Sequence, residues 1–238
     1  MLSYILIGSV CYSLINLDAT AIAQTMVSRP MVISPLIGYI LGLLNGDAVS
    51  GTKIGIIIGV LLEFFWINLL PLGSSVPPNA TISSAVTTAV VCYFSKKTQI
   101  EPYWITNGLV YGICCGYVGG RTDTWLRVLN SKLVNKATSH VENGELCVIN
   151  RLNLQAIGVS LVVNTLLCAG LILTGIALLP VIIGCLPQEV LSVLKNALWL
   201  FLLVCIGITL ESFMTKKSIF YFGAVWVIIS LLGLIIPM

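Results

Sequence analysis

Hydrophobic runs dominate the chain, and the polar positions between them mark where elements begin and end. The first run, MLSYILIGSVCYSLINL, turns polar at NLDATAIAQ. It opens apolar without a basic leader and is not closed by a small-residue cleavage site, so the pattern predicts a retained membrane segment. Asn16, Asp18 and Gln24 are costly at membrane depth and predict contact with protein or with a water-filled cavity. From Pro30 to Leu44 runs a shorter apolar stretch, interrupted by Pro35, Gly38 and Gly42 and closed by the turn residues Asn45, Gly46 and Asp47. At about 1.5 Å per residue it covers roughly two thirds of a hydrocarbon core, which predicts a broken or re-entrant element.

The next run, GTKIGIIIGVLLEFFWINLL, is long enough to cross a bilayer. Its Gly51, Gly55 and Gly59 recur every fourth residue and make a face on which another helix can approach closely. Glu63 continues that face. PLGSSVPPNATISS is too irregular for a lipid-exposed helix, and a further partial element, about Thr81 to Phe94, stops at Lys96-Lys97. Two interrupted segments flanking Glu63 match the way transporters expose backbone groups at a binding site.

An apolar helix is predicted over about Tyr103 to Gly120, with Gly112, Gly116 and Gly120 again four apart. Residues 121–152 are polar and basic, and Leu126, Leu129, Leu133, Val134 and Ala137 fall at helical spacing. They predict an amphipathic surface helix followed by a turn at Asn143-Gly144. Hydrophobic runs over about Leu154–Leu179, Val190–Leu210 and Ile219–Pro237 complete the pattern, with an apolar connection, VIIGCL, between Pro180 and Pro187. The expected fold is an all-α polytopic membrane protein of about seven to nine full or partial membrane helices, including broken or re-entrant hairpins. It divides into a Gly-rich half (1–120), a polar linker (121–152) and C-terminal membrane helices (153–238).

Composition sharpens this. The 238 residues are 58% hydrophobic and 9% charged, and mean hydropathy is +1.03. Soluble domains carry roughly 25% charged residues, so a soluble enzyme is excluded, as is disorder. Net charge is +3, and no Arg/Lys cluster is suited to follow a nucleic-acid backbone. Lys96-Lys97, the basic linker and Lys216-Lys217 are expected together on the cytoplasmic side. Most of the eight cysteines lie in or beside apolar runs and read as small buried hydrophobes. The adjacent pair Cys114-Cys115 lacks metal or redox spacing. His140, the one histidine, reads as a solvated side chain without an acidic partner in sequence. No nucleotide loop, nucleophile elbow or metal-ligand cluster is present, so neither catalytic residues nor a cofactor are expected.

Glu63 has two readings, a buried carboxyl that cross-links helices or a ligand group. Asn68, the Gly/Ser/Pro segment and Asn79 follow closely and supply donors and acceptors of the kind that bind sugar hydroxyls. Phe64, Phe65 and Trp66 are suited to stacking on a sugar ring, but three consecutive aromatics cannot share one helix face. Arg29 is either a site residue or an interfacial anchor.

Arg29-Pro30 followed by SPLIGYILG, then Gly55, Gly59 and Glu63, then Gly73 and Pro77-Pro78-Asn79, resembles the membrane subunit IIC of the mannose/fructose/sorbose class of the bacterial sugar phosphotransferase system. The similarity keeps one register over about residues 16–95 and fades toward the C-terminus. It implies a multi-pass permease of the bacterial inner membrane that binds a hexose or amino sugar and moves it inward. It further implies an oligomeric complex with a IID membrane subunit and cytoplasmic IIA and IIB, of which IIB donates the phosphoryl group. The expected roles are that Glu63 accepts from sugar hydroxyls, Asn68 and Asn79 orient the ring, and Asp18 either lines the same cavity or ties the broken first helix to it. The chain departs from the family pattern in having Asn79 where an acidic residue is common, Asn68 where glycine is common, and a longer connection, NGDAVSGTK. Two other classes compete: an ion-coupled secondary transporter using Asp18 and Glu63 as coupling carboxylates, and a degenerate or regulatory scaffold.

Overall fold

The computed structural model describes residues 1–19, 24–68, 76–95, 101–142, 145 and 147–211. Among them are seven α-helices and no strand: α1 (Leu2–Asn16, followed by a 3-10 turn, Leu17–Ala19), α2 (Pro30–Asn45), α3 (Ala48–Trp66), α4 (Ala80–Ser95), α5 (Pro102–Glu142), α6 (Cys147–Cys185) and α7 (Gln188–Glu211). Leu2–Ala19, Ala48–Trp66, Val148–Cys185 and Gln188–Glu211 are long and apolar enough to cross a membrane, and α2 and α4 are shorter apolar helices. The run expected over 219–237, both lysine pairs, Gly73 and the turn at 143–144 lie outside the described residues.

α2 and α3 form a tight antiparallel hairpin. Gly46 turns the chain at φ 88°, a left-handed conformation that favours glycine, and Asp47 caps α3 by accepting from the Ser50 N–H at 2.9 Å. Hydrogen bonds from Ser50 hold the Asp47 carboxyl below the usual carboxylate range. The connection is therefore only two residues, since 48–53 of the supposed longer loop are helical. α2 also runs unbroken through Pro35, because the Ser34-Pro35 backbone lies directly against Gly55 and packing holds the turn that the proline weakens. Gly51 meets the backbone of Gly38 and Gly42 in the same way, and Gly59 that of Pro30 and Met31.

α4 is the buried centre of the bundle. Nearly all its residues are enclosed, and two of its polar ones bond locally, Thr87 donating to the Ser83 carbonyl (2.7 Å) and Ser84 to that of Thr81 (3.0 Å). Against it lies the glycine face of α5: Gly112 faces Ser83 and Thr87, Gly116 faces Trp66 and Asn79, and Gly120 faces Pro77 and Pro78. Tyr12 and Ile33, Ile37 and Leu41 of α2 close the core from the other side with Val86, Val90 and Ile172.

Further expectations change. The amphipathic stretch beyond Gly120 is no separate helix but the continuation of α5, which runs 41 residues without a break. Gly120 allows the Pro77-Pro78 segment to approach, and it does not end the helix. α6 likewise continues through Pro180 to Cys185, so most of VIIGCL is helical, with Val181 and Ile182 exposed on this chain. Each of these helices is about 60 Å long, twice the hydrocarbon thickness. His140 does have an acidic partner, Glu145, at 2.7 Å. Cys92, Cys115, Cys168 and Cys205 are buried, whereas Cys114 and Cys185 are exposed.

Candidate functional site

The Pro77–Thr81 segment enters the bundle where α1 ends and α2 begins, and a cavity opens on each side of it. The first, of about 470 Å³, is walled by Asn16 of α1, Asn79, Asp123, Arg127 and Asn130 of α5, and Asn153, Ser160 and Asn164 of α6, with Leu17, Pro77, Pro78 and Ile157 as apolar surface. The second, of about 430 Å³, is lined by Asp18, Gln24, Ser28, Arg29 and Trp66. Ala19, Pro77, Pro78, Ala80 and Thr81 belong to both walls.

Asn79 organises the partition with every polar atom it has. Its N–H donates to the Gly116 carbonyl at 2.9 Å, a contact that the absence of a side chain at Gly116 permits. Its Oδ1 accepts from the Ile82 N–H at 3.0 Å, capping α4. Its Nδ2 donates to Asp123 Oδ2 at 2.7 Å and to Asn16 Oδ1 at 3.3 Å, so α1, α4 and α5 are tied at one residue. Arg127 stands one turn beyond Asp123 on α5 and lines the same cavity.

Asp18 shapes the opposite wall. It accepts from Thr25 N and Oγ1, both at 2.7 Å, and from Ser28 N at 3.3 Å. Gln24 and Met26 in this loop have φ of 53° and 65°, left-handed values uncommon for side chains of this size and frequent at ligand sites. Thr81 donates to the Ser28 carbonyl (2.9 Å), which joins the loop to the partition.

Glu63 lines neither cavity. It accepts from Arg29 Nη1 at 3.4 Å and from Met31 N at 3.3 Å, so it caps the start of α2 and steadies an arginine that does line the second cavity. Asn68 lies elsewhere: its Nδ2 donates to the Ile208 carbonyl of α7. Of the three aromatics, Trp66 reaches the cavity wall, Phe65 stacks on Phe201 at 5.8 Å, and Phe64 is exposed. The structure thus brings Asp18 and Arg29 to one cavity and Asn79 to the other, with Glu63 behind Arg29.

Sequence reasoning missed the α5 and α6 walls. Asp123 falls in the stretch that the sequence reads as a polar linker, yet it hydrogen-bonds Asn79 at 2.7 Å on the cavity wall. On α6, Asn153, Ser160 and Asn164 stand seven and four residues apart in a largely apolar helix, a one-face spacing that was readable.

Fold and site define a multi-pass α-helical membrane protein with two cavities in its bundle, one of them rich in amide side chains. The chain belongs to the family described as "PTS system sorbose-specific iic component", whose profile matches residues 1–238. It is 37% identical over 78 residues to "Putative N-acetylgalactosamine permease IIC component 2" of Escherichia coli (strain K12), a match covering 33% of this chain and half the length of that relative. Its fold is similar to a solved "Structure of membrane protein" (TM-score 0.69, 19% identity, 99% of this chain and 93% of the other). It is also similar to a chain of "CryoEM Structure of Mannose Transporter ManYZ and Microcin E492 (MceA) complex" (TM-score 0.56, 18% identity, 99% and 93%).

Proposed function

We propose that this chain is the sugar-translocating subunit of a phosphoenolpyruvate-dependent sugar phosphotransferase complex. It binds a hexose or amino sugar and moves it inward, where a IIB partner phosphorylates it. A IID membrane subunit and cytoplasmic IIA and IIB complete the assembly. Family membership supports the class, and a hexose or amino sugar is in keeping with the N-acetylgalactosamine and mannose named for similar proteins and the sorbose of the family's description.

The observation that carries the reading is the composition of the first cavity. Five asparagines, one serine, one threonine and one aspartate line it, with a single arginine, so it offers many neutral donors and acceptors and little net charge. Such a wall suits a polyol, whose hydroxyls both donate and accept, better than a phosphate or a carboxylate. In this reading Asn79 and Asp123 orient the ring, Asp18 shapes the approach from the second cavity, and Glu63 acts through Arg29.

The test is phosphorylation of a panel of radiolabelled sugars by vesicles containing this chain and its IID partner, supplied with IIA, IIB and phosphoenolpyruvate-derived phosphoryl donors. Signal that requires this chain supports the reading and names the sugar. Absence of signal from an assembled complex rejects it in favour of a scaffold. Glu63→Gln removes the charge facing Arg29 but keeps an acceptor for Met31. The pair is partly exposed, so the expected loss of sugar affinity is about two- to fivefold, with unchanged co-purification of IID. Unaltered affinity and uptake would take Glu63 out of the site.

A further inference from the structure

Asn164 lies in α6 on the wall of the first cavity and is 4% exposed. Its Oδ1 has no hydrogen-bond partner. A buried amide atom left unpaired is a standing penalty, and an apolar residue would fill the same place without it. Beyond it the buried face of α6 is apolar, through Cys168, Ile172 and Leu179. Before it come Ser160 and Asn153, so a polar stripe about 16 Å long runs along α6 and ends at Asn164. The residue that bears the unpaired atom is therefore at the inner, buried end of that stripe.

The chemistry of that atom restricts what reaches it. A carboxylate or phosphate presents acceptors, which leave an amide oxygen unpaired. An ammonium group satisfies only one orientation of the amide. A hydroxyl donates and accepts, so it satisfies the side chain whichever way the amide is turned. We infer that Asn164 is a specificity-determining residue that holds one hydroxyl of a neutral sugar in the first cavity. This deepens the proposed function and rests on its assignment of that cavity as the sugar site.

The test uses the purified complex of this chain with its IID partner in nanodiscs, titrated with the transported sugar and its monodeoxy analogues. In the unaltered protein, one analogue is expected to bind about tenfold or more weakly than the parent. In Asn164→Leu that penalty is expected to vanish while the penalties at the other positions persist, and the thermal midpoint without sugar is expected to stay equal or rise. Should the leucine variant not fold, Asn164→Ser, whose shorter side chain loses the reach, carries the same titration. Asn79→Ala reports on the cavity itself. If it removes binding while Asn164→Leu keeps every deoxy penalty, the role of Asn164 is overturned and the cavity assignment stands. If neither variant changes binding, the sugar site lies elsewhere and both fail. A lowered midpoint for Asn164→Leu without sugar, with unchanged binding, would make the amide a structural one and also overturn the inference.

Discussion

Asn79→Asp is expected to reduce sugar binding and uptake at neutral pH by about tenfold or more, and adding Asp123→Asn is expected to restore most of the loss. The Asn79 amide nitrogen stands 2.7 Å from an Asp123 oxygen and 3.3 Å from Asn16 Oδ1. Aspartate would replace that donor with an acceptor, so two carboxylates would meet at hydrogen-bond distance with no proton between them. One must be protonated or the two must separate. Separation would pull the partition away from α5. The α4 cap would survive, because a carboxylate accepts from Ile82 N as well as an amide oxygen does. Shared-site carboxylates bind a proton more tightly than isolated ones, so function in the single variant is expected to recover as pH falls and to be lost as pH rises. In the double variant the amide at position 123 donates to the carboxylate at position 79 and the pair is whole again. Uptake in vesicles at several pH values measures this. Full activity of Asn79→Asp at neutral pH, or no recovery in the double variant, would reject the pairing as a functional contact. The departure from the family pattern gains a physical meaning here: Asp123, hydrogen-bonded to Asn79, supplies a carboxylate directly beside the position after the paired prolines where the family commonly has one.

The elements around this site were largely legible because glycine and proline mark helix contacts and ends within a short stretch of chain. Pro30 at the start of α2, Asn45-Gly46-Asp47 at the turn and the Gly51, Gly55, Gly59 series each act on neighbours in sequence or on the adjacent helix. The site itself was less legible, since it is assembled across long separations. Asn79 meets a partner 44 residues away, and nothing local distinguishes Asp123 from the surface charges that follow it. Asn68 shows the converse error. It is five residues beyond Glu63, but past the end of α3 the chain carries it toward α7 rather than toward either cavity. The change of composition after Gly120 was real but was read as a change of element. A helix longer than the bilayer is thick simply changes environment as it continues.

Gly55→Leu is expected to prevent accumulation of folded protein, while Gly158→Leu is expected to leave it close to normal. A Cβ at Gly55 would overlap the Ser34 carbonyl and sit 2.8 Å from the Pro35 Cα, both backbone atoms that no rotamer change can move. Relief requires α2 and α3 to separate, and that would undo the neighbouring contacts of Gly51 and Gly59 as well. α2 depends on this packing more than an ordinary helix does, because Pro35 has already removed one of its hydrogen bonds. The hairpin also carries Arg29 and Glu63 at its open end, so loss of packing would reach the second cavity directly. At Gly158, by contrast, nothing lies within 4 Å of an added Cβ. Size-exclusion profiles of detergent-solubilised membranes, with the thermal midpoint of any monodisperse peak, compare the two. Gly55→Ala should fall between them, since one methyl group produces the clash without the bulk of leucine. Equal yields and midpoints for Gly55→Leu and the unaltered protein would mean that α2 and α3 are not in backbone contact, and the architecture that separates the two cavities would have to be redrawn.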